Sequence, residues 1–197
     1  MISAETTAFR DPVRHSQNVF RSVMNALAKP AFALPLACDV VPPKGLSPGA
    51  AAVLLTLADF ETTFWLDEPA WERTEIGAYL RFHTGAKQVG SVRVANFALL
   101  TDLGRMPVLA KFAQGNHEYP DRSTTLIVDV PTLLTHGWTC TGPGIDGTRM
   151  FGVAGLPPDF VAQWANNVAA FPLGLDVLFV CGGQIAGLPR TTRITEA

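Results

Sequence analysis

Charge is what this chain has least of. Only 16% of its 197 residues are Asp, Glu, Lys or Arg, against about 25% in an ordinary soluble domain. Lysine is scarcest, with Lys29, Lys44, Lys87 and Lys111 widely spaced and no Lys/Arg run anywhere. The net charge is −2 and the isoelectric point near 6.1. That balance leaves no electrostatic footprint for nucleic acid. No uncharged apolar stretch approaches the roughly 20 residues that a bilayer span needs. Met1-Ile-Ser-Ala-Glu5 carries neither a basic nor an apolar leader region, so no secretory signal is expected. The three cysteines, Cys38, Cys140 and Cys181, are odd in number, far apart and set among apolar neighbours. They read as reduced core thiols of a cytoplasmic protein.

Catalytic signatures are also missing. There is no G-x-x-x-x-G-K-[ST], no G-x-S-x-G and no H-x-x-x-H, which removes an intrinsic P-loop, a nucleophile elbow and a helical zinc pair. No metal site is expected. What is abundant is apolar surface, at 48% hydrophobic residues. So little charge cannot cover a monomer of this size without exposed apolar patches. The composition therefore predicts an oligomer or a subunit.

The length fits one substantial core, so residues 1–197 are expected to form a single domain. Asp11-Pro12 is a helix start, an N-cap followed by Pro at the first helical position. Val13, Phe20, Val23, Met24 and Leu27 share a face, and Pro30 stops the helix. Ser47-Pro48 repeats the signal ahead of Ala50–Ala58, apolar nearly all round and so deeply buried. Thr62–Leu66 reads as a strand and Trp71–Phe82 as a helix with Gly85 as its cap. Val94–Leu100 and Thr124–Val130 are further strands separated by a short helix near Val108–Gln114. Trp138–Thr141 is another strand, and Pro157-Pro158 opens a helix through Val168. Leu175–Leu188 is a hairpin turning at Gly182-Gly183. The alternation predicts a layered α/β domain, with a mixed sheet because that hairpin is antiparallel.

Gly142-Pro-Gly-Ile-Asp-Gly147 matches G-x-G-x-x-G after a strand. A dinucleotide site also needs a helix at the third glycine and an acidic residue about 20 positions on. Thr148-Arg-Met-Phe-Gly152 is poor helix and position 167 is Asn, so a structural turn is the expectation. His117-Glu118 reads as solvated loop. Asp59/Glu61 and Asp67/Glu68 flank a strand; paired carboxylates there serve acid/base work or form a solvated rim, and the rim is favoured. His83, with Arg81 nearby, reads as a cation at a helix C-terminus or as a ligand contact. Arg190-Thr191-Thr192 is the best polar cluster, because guanidinium grips phosphate or carboxylate bidentately. An interface or sheet-edge role is preferred there over ligand binding.

Three groups of segments carry a resemblance to one family. They are Phe9-Arg-Asp-Pro-Val-Arg-His-Ser-Gln-Asn-Val-Phe-Arg-Ser-Val-Met-Asn-Ala-Leu-Ala-Lys-Pro30; Leu54-Leu-Thr-Leu-Ala-Asp59 with Leu80-Arg-Phe-His-Thr-Gly85; and Thr141-Gly-Pro-Gly-Ile145, Phe171-Pro-Leu-Gly-Leu-Asp176 and Leu188-Pro-Arg-Thr-Thr192. In this order they resemble the PhnH family of the bacterial carbon–phosphorus lyase system, with Ala31 where the family usually has Gly. The resemblance implies a three-layer α/β/α fold with a mixed sheet, similar to the large domain of pyridoxal-phosphate-dependent transferases but without the cofactor. It implies a subunit of the core complex, with the G, I and J subunits as partners and a homodimer in isolation. That complex transfers the ribose triphosphate moiety of ATP to an alkylphosphonate. No catalytic residue of this chain follows from it, and no cofactor is expected. The alternative reading is a stand-alone small anion- or nucleotide-binding enzyme using Arg190, Thr191 and Thr192.

Overall fold

The computed structural model describes residues 6–197; the Met1–Glu5 opening lies outside them. Local sequence signals build the first elements. Helix α1 (Pro12–Ala28) starts where the Asp11 carboxylate accepts the Arg14 backbone N–H, 3.1 Å away. After the short edge strand β1 (Leu34–Pro35), helix α2 (Pro48–Leu57) starts on the Ser47 hydroxyl, which accepts Ala50 N–H at 3.2 Å. Its residues Gly49–Leu54 are all buried, as an all-round apolar helix demands. Strand β2 (Thr63–Leu66) follows.

The single helix expected over Trp71–Phe82 is two: α3 (Glu68–Glu72) and α4 (Thr74–Thr84). Asp67 caps a new start, with Pro69 in its first turn, and Arg73 at φ −84°, ψ 82° interrupts the helical path between them. Gly85 ends α4 in the left-handed conformation, as expected. Beyond β3 (Lys87–Gln88), β4 covers only Phe97–Leu100, because Val92–Val94 is taken by a 3₁₀ turn capped by Ser91. The helix expected near Val108–Gln114 is a single 3₁₀ turn, Leu109–Lys111. There the Gln163 side chain accepts Leu109 N–H, and the Gln114 amide donates to the Leu109 and Phe112 carbonyls. Side chains thus take backbone groups that a longer helix would use.

The later elements are β5 (Thr125–Asp129), β6 (Leu133–Thr141), β7 (Arg149–Val153), α5 (Phe160–Ala169), β8 (Asp176–Cys181), β9 (Gln184–Leu188) and β10 (Arg193–Glu196). Strand β6 is longer than its expected Trp138–Thr141 core because a bulge between Leu134 and Trp138 lets pairing with β7 continue. Among the described residues, seven strands form one sheet in the order β1-β9-β8-β5-β4-β2-β3. Only β9 runs against the others. Mixed α/β architecture is therefore observed.

Side chains alternate across this sheet. Leu99, Ile127, Leu178 and Val180 meet α1, α2 and α4, while Ala98, Leu100, Leu126, Val128, Val177 and Phe179 face the other way. The second face differs from the purely helical layer expected. It is covered by α5 together with a three-stranded antiparallel sheet, β10-β6-β7, whose Trp138, Cys140, Phe151 and Ile194 pack with Phe160 and Trp164. Each large side chain buried there stabilises the fold by about 1.5–3 kcal/mol relative to exposure. No helix among the described residues is long and apolar enough to cross a membrane.

Helix α1 settles on the sheet in an unexpected phase. Its buried residues are Val19, Val23 and Ala26, whereas Val13, Phe20 and Met24 are exposed. The reason is close approach. A Cβ on Gly187 of β9 would lie 2.5 Å from the Ala26 carbonyl oxygen. Small residues on both sides bring the helix nearly onto the strand, and the bulkier stripe is left outside.

Candidate functional site

Arg190 follows β9, and the β8/β9 register, with Val177 opposite Leu188, brings it to Asp176 at the start of β8. The Asp176 carboxylate accepts Arg190 Nη2 at 2.6 Å, Nε at 3.2 Å and the backbone N–H at 2.8 Å. The remaining Nη donors reach Ser123 Oγ (2.7 Å), Pro120 O (3.0 Å) and Pro172 O (3.2 Å). A guanidinium has five N–H donors, and each has an acceptor here. None is left for an anion in this arrangement.

The nearby Thr192 hydroxyl has no partner among the described residues but is closed off from solvent. Thr192 is buried, its N–H donates to Pro189 O, and its carbonyl accepts the Trp164 indole N–H at 2.8 Å. Thr191 is half-buried, its carbonyl close behind Gly142. Arg81 and His83 lie elsewhere. They sit on α4, beside the β3 edge, and four strands separate β3 from β9. The five candidate residues therefore do not form one cluster.

Arg81 donates to Gln88 Oε1 and borders a surface groove of about 300 Å³ shared with Trp71 and Thr74. His83 lies edge-on to Tyr79, ring centroids 4.7 Å apart. Partial desolvation lowers its pKa. His83 stands in the last turn of α4, at the helix end where the sequence put it. His117 is exposed, in a loop where the Asn116 carboxamide oxygen accepts the backbone N–H groups of Glu118 and Tyr119.

The G-x-G-x-x-G segment joins β6 to β7 as a turn, with Gly142, Gly144 and Gly147 all at positive φ. A strand follows it, not a helix. A Cβ on Gly144 would stand 2.3 Å from the Ala28 carbonyl. The glycine thus lets the turn lie against the end of α1, and no phosphate is needed to explain the motif.

In open α/β sheets, ligands settle at the carboxyl ends of strands where successive connections leave on opposite faces. Here that place lies between β2 and β4. The chain after β2 packs α4 on one face, and the chain after β4 packs Leu103, Leu109 and Phe112 on the other. Asp67 stands there, only 2% exposed. Its carboxylate accepts the N–H groups of Thr101 (2.5 Å), Asp102 (2.8 Å) and Ala70 (3.3 Å), and the Thr101 hydroxyl at 3.0 Å. Asp67 is thus a buried hydrogen-bond acceptor at that place, not part of a solvated rim. Asp59, Glu61 and Glu68 are exposed, as a rim predicts.

One strand further along, Asp129 ends β5 beside the N-terminus of α2. Burial raises its pKa, and hydrogen bonds from the Ser47 hydroxyl and backbone N–H partly offset that. Among the described residues, no three His, Cys, Asp or Glu side chains gather where they could hold a metal ion.

Comparison with known proteins bears on the whole of this arrangement. Residues 7–195 match the family described as bacterial phosphonate metabolism protein (PhnH). The chain belongs to the PhnH family. It is 38% identical over 188 residues to alpha-D-ribose 1-methylphosphonate 5-triphosphate synthase subunit PhnH of Rhizobium meliloti (strain 1021), covering 95% of this chain and 94% of the relative. It is also 32% identical over 180 residues to HtxG of Stutzerimonas stutzeri, named as a C-P lyase subunit protein, covering 90% of this chain and 85% of that one.

In this PhnH-family chain, sequence reasoning put Asp67 in a solvated rim and gave Asp129 and Asp176 no role, although these carboxylates are the ones the fold ties in. Asp67 and Asp129 each close an apolar strand run, and Asp176 opens one. That signal was visible, but it does not separate a buried acceptor from a rim residue. The separation depends on which backbone N–H groups converge there, which pairing of distant strands decides.

Proposed function

We propose that this chain is a subunit of the carbon–phosphorus lyase core complex. It supports, with partner subunits, transfer of the ribose triphosphate moiety of ATP to an alkylphosphonate. The observation that carries this reading is family membership across nearly the whole chain, joined to the Asp67 carboxylate tied to the backbone at the strand ends. A sheet that sets its own buried carboxylate at the usual ligand position suits a structural or co-catalytic subunit better than an independent catalyst. The alternative, a stand-alone anion-binding enzyme built on Arg190, Thr191 and Thr192, finds no free guanidinium donor to start from.

On this reading the partners are the G, I and J subunits, the isolated chain pairs as a homodimer, and the compartment is the cytoplasm. The chain acts as one domain. A seven-stranded mixed sheet with a single antiparallel strand supports kinship with the large domain of pyridoxal-phosphate-dependent transferases. The four lysines are all exposed, and none stands in the enclosed pocket that imine chemistry uses.

The test is co-expression of the tagged chain with the three partner subunits, followed by size-exclusion chromatography with light scattering and an assay for adenine release from ATP. Stoichiometric co-migration, with adenine release lost when this chain is omitted, is expected. Elution apart from the partners, with full adenine release in its absence, would overturn the reading.

A further inference from the structure

The outward stripe of α1 has no partner among the described residues. Val13 is 69% exposed, Phe20 47% and Met24 50%. Spacings of seven and four residues place all three along one line of the helix, turned roughly 100–140° from the buried Val19–Val23–Ala26 line at 100° per residue. The stripe borders a groove of about 270 Å³ lined by Ser16, Gln17, Phe20, Arg21 and, from α2, Thr56. Single exposed apolar side chains are ordinary. Three large ones in line beside a groove mark a contact surface.

Charge identifies the occupant. From Pro12 to Ala28 the helix has no Asp or Glu, while Arg14 and Arg21 lie on the ridge next to the stripe. Neither guanidinium has an ion-pair partner among the described residues. A two-fold pairing of this helix with its own copy is isologous. It would set Arg14 and Arg21 against the same two arginines, which is repulsive. A segment of a different protein, apolar on one side and flanked by carboxylates, meets both needs at once.

We propose that α1 is the docking face for such an acid-flanked amphipathic segment of another subunit of the complex, laid along the α1/α2 groove in the helix-in-groove manner. This rests on the subunit reading above and names the surface that reading leaves open. Phe20 and Met24 anchor in the partner's apolar face; Arg14 and Arg21 take its carboxylates and make the attachment salt-sensitive.

The experiment uses the full chain and the purified G, I and J subunits, with affinity measured at low and high salt. Phe20→Asp is expected to weaken binding by about tenfold or more, as for a buried aromatic anchor. The double variant Arg14→Glu/Arg21→Glu is expected to weaken it several-fold at low salt and flatten the salt dependence. It alters no packed side chain, so the test stands even if Phe20→Asp unfolds. Wild-type chain that binds while both variants bind equally well overturns this proposal alone. Variants that abolish self-association yet keep full affinity for the partners do the same, in favour of a second copy. Wild-type chain that binds no partner removes both this proposal and the subunit reading.

Discussion

Arg190 and Asp176 are fourteen residues apart in sequence and locked together in space, the guanidinium meeting both carboxylate oxygens at 2.6 and 3.2 Å. The side chains are only 14% and 23% exposed. This ion pair fastens the segment leaving the terminal hairpin to the strand that enters it.

Arg190→Ala would leave the Asp176 carboxylate half-enclosed and strand the Pro120, Pro172 and Ser123 acceptors. A fully buried pair costs more, so with partial exposure a loss of about 2–3 kcal/mol is expected. Arg190→Lys should recover little of it, since a point cation cannot fill five directed acceptors. Chemical denaturation checks both, and an Arg190→Ala chain as stable as wild type would contradict the clamp.

Asp67→Ala should be among the most damaging substitutions outside the apolar core. It orphans the N–H groups of Thr101, Asp102 and Ala70 together, an expected cost of about 2–4 kcal/mol. Hydrogen exchange offers a sharper reading. The Thr101 and Asp102 amides should lose protection well before the β5 amides do.

Gly187→Ala places a Cβ within 2.5 Å of the Ala26 carbonyl. Backbone meets backbone there, so no flexible side chain can yield. Lifting α1 off β9 should cost about 1–3 kcal/mol, in the range of overpacked cores, seen as a lower melting temperature. An unchanged melting temperature would show that α1 does not rest so closely on the strand.

Asp129 gives the fold a pH dependence of definite sign. Its folded pKa is raised from the ordinary 3.8 by burial. Between those two values the folded state holds more protons than the unfolded one, so stability from this group declines as pH rises through the window. Asp129→Asn keeps an oxygen acceptor for Ser47 and removes the titration. The variant should gain on wild type as pH climbs through the window and hold a constant difference above it. A difference that does not change with pH would contradict the raised pKa.

Local signals were enough for much of this architecture. Asp11-Pro12 and Ser47-Pro48 fix helix starts because a cap needs only atoms three residues away. Gly182-Gly183 fixes the terminal hairpin because a two-residue turn is decided by its own backbone. The ordered segments from Phe9 to Thr192 carry the family, and with it the role in phosphonate metabolism, without coordinates.

The phase of α1 belongs to tertiary structure. Its sequence has two apolar lines, Val19–Val23–Ala26 and Val13–Phe20–Met24, and periodicity does not rank them. Gly187, far away in sequence, selects the smaller line by allowing contact at backbone distance. The fates of Asp67 and Arg190 were hidden for a related reason. A carboxylate at a strand end and a guanidinium after a hairpin read as polar surface until parallel pairing of β2 with β4, and of β5 with β8, brings their partners in from 34 and 67 residues away. Composition by itself raised the expectation that some surface is covered by another molecule. Only the folded chain shows that the outer line of α1 is among the apolar surface left exposed, because burial depends on which helix face the sheet accepts.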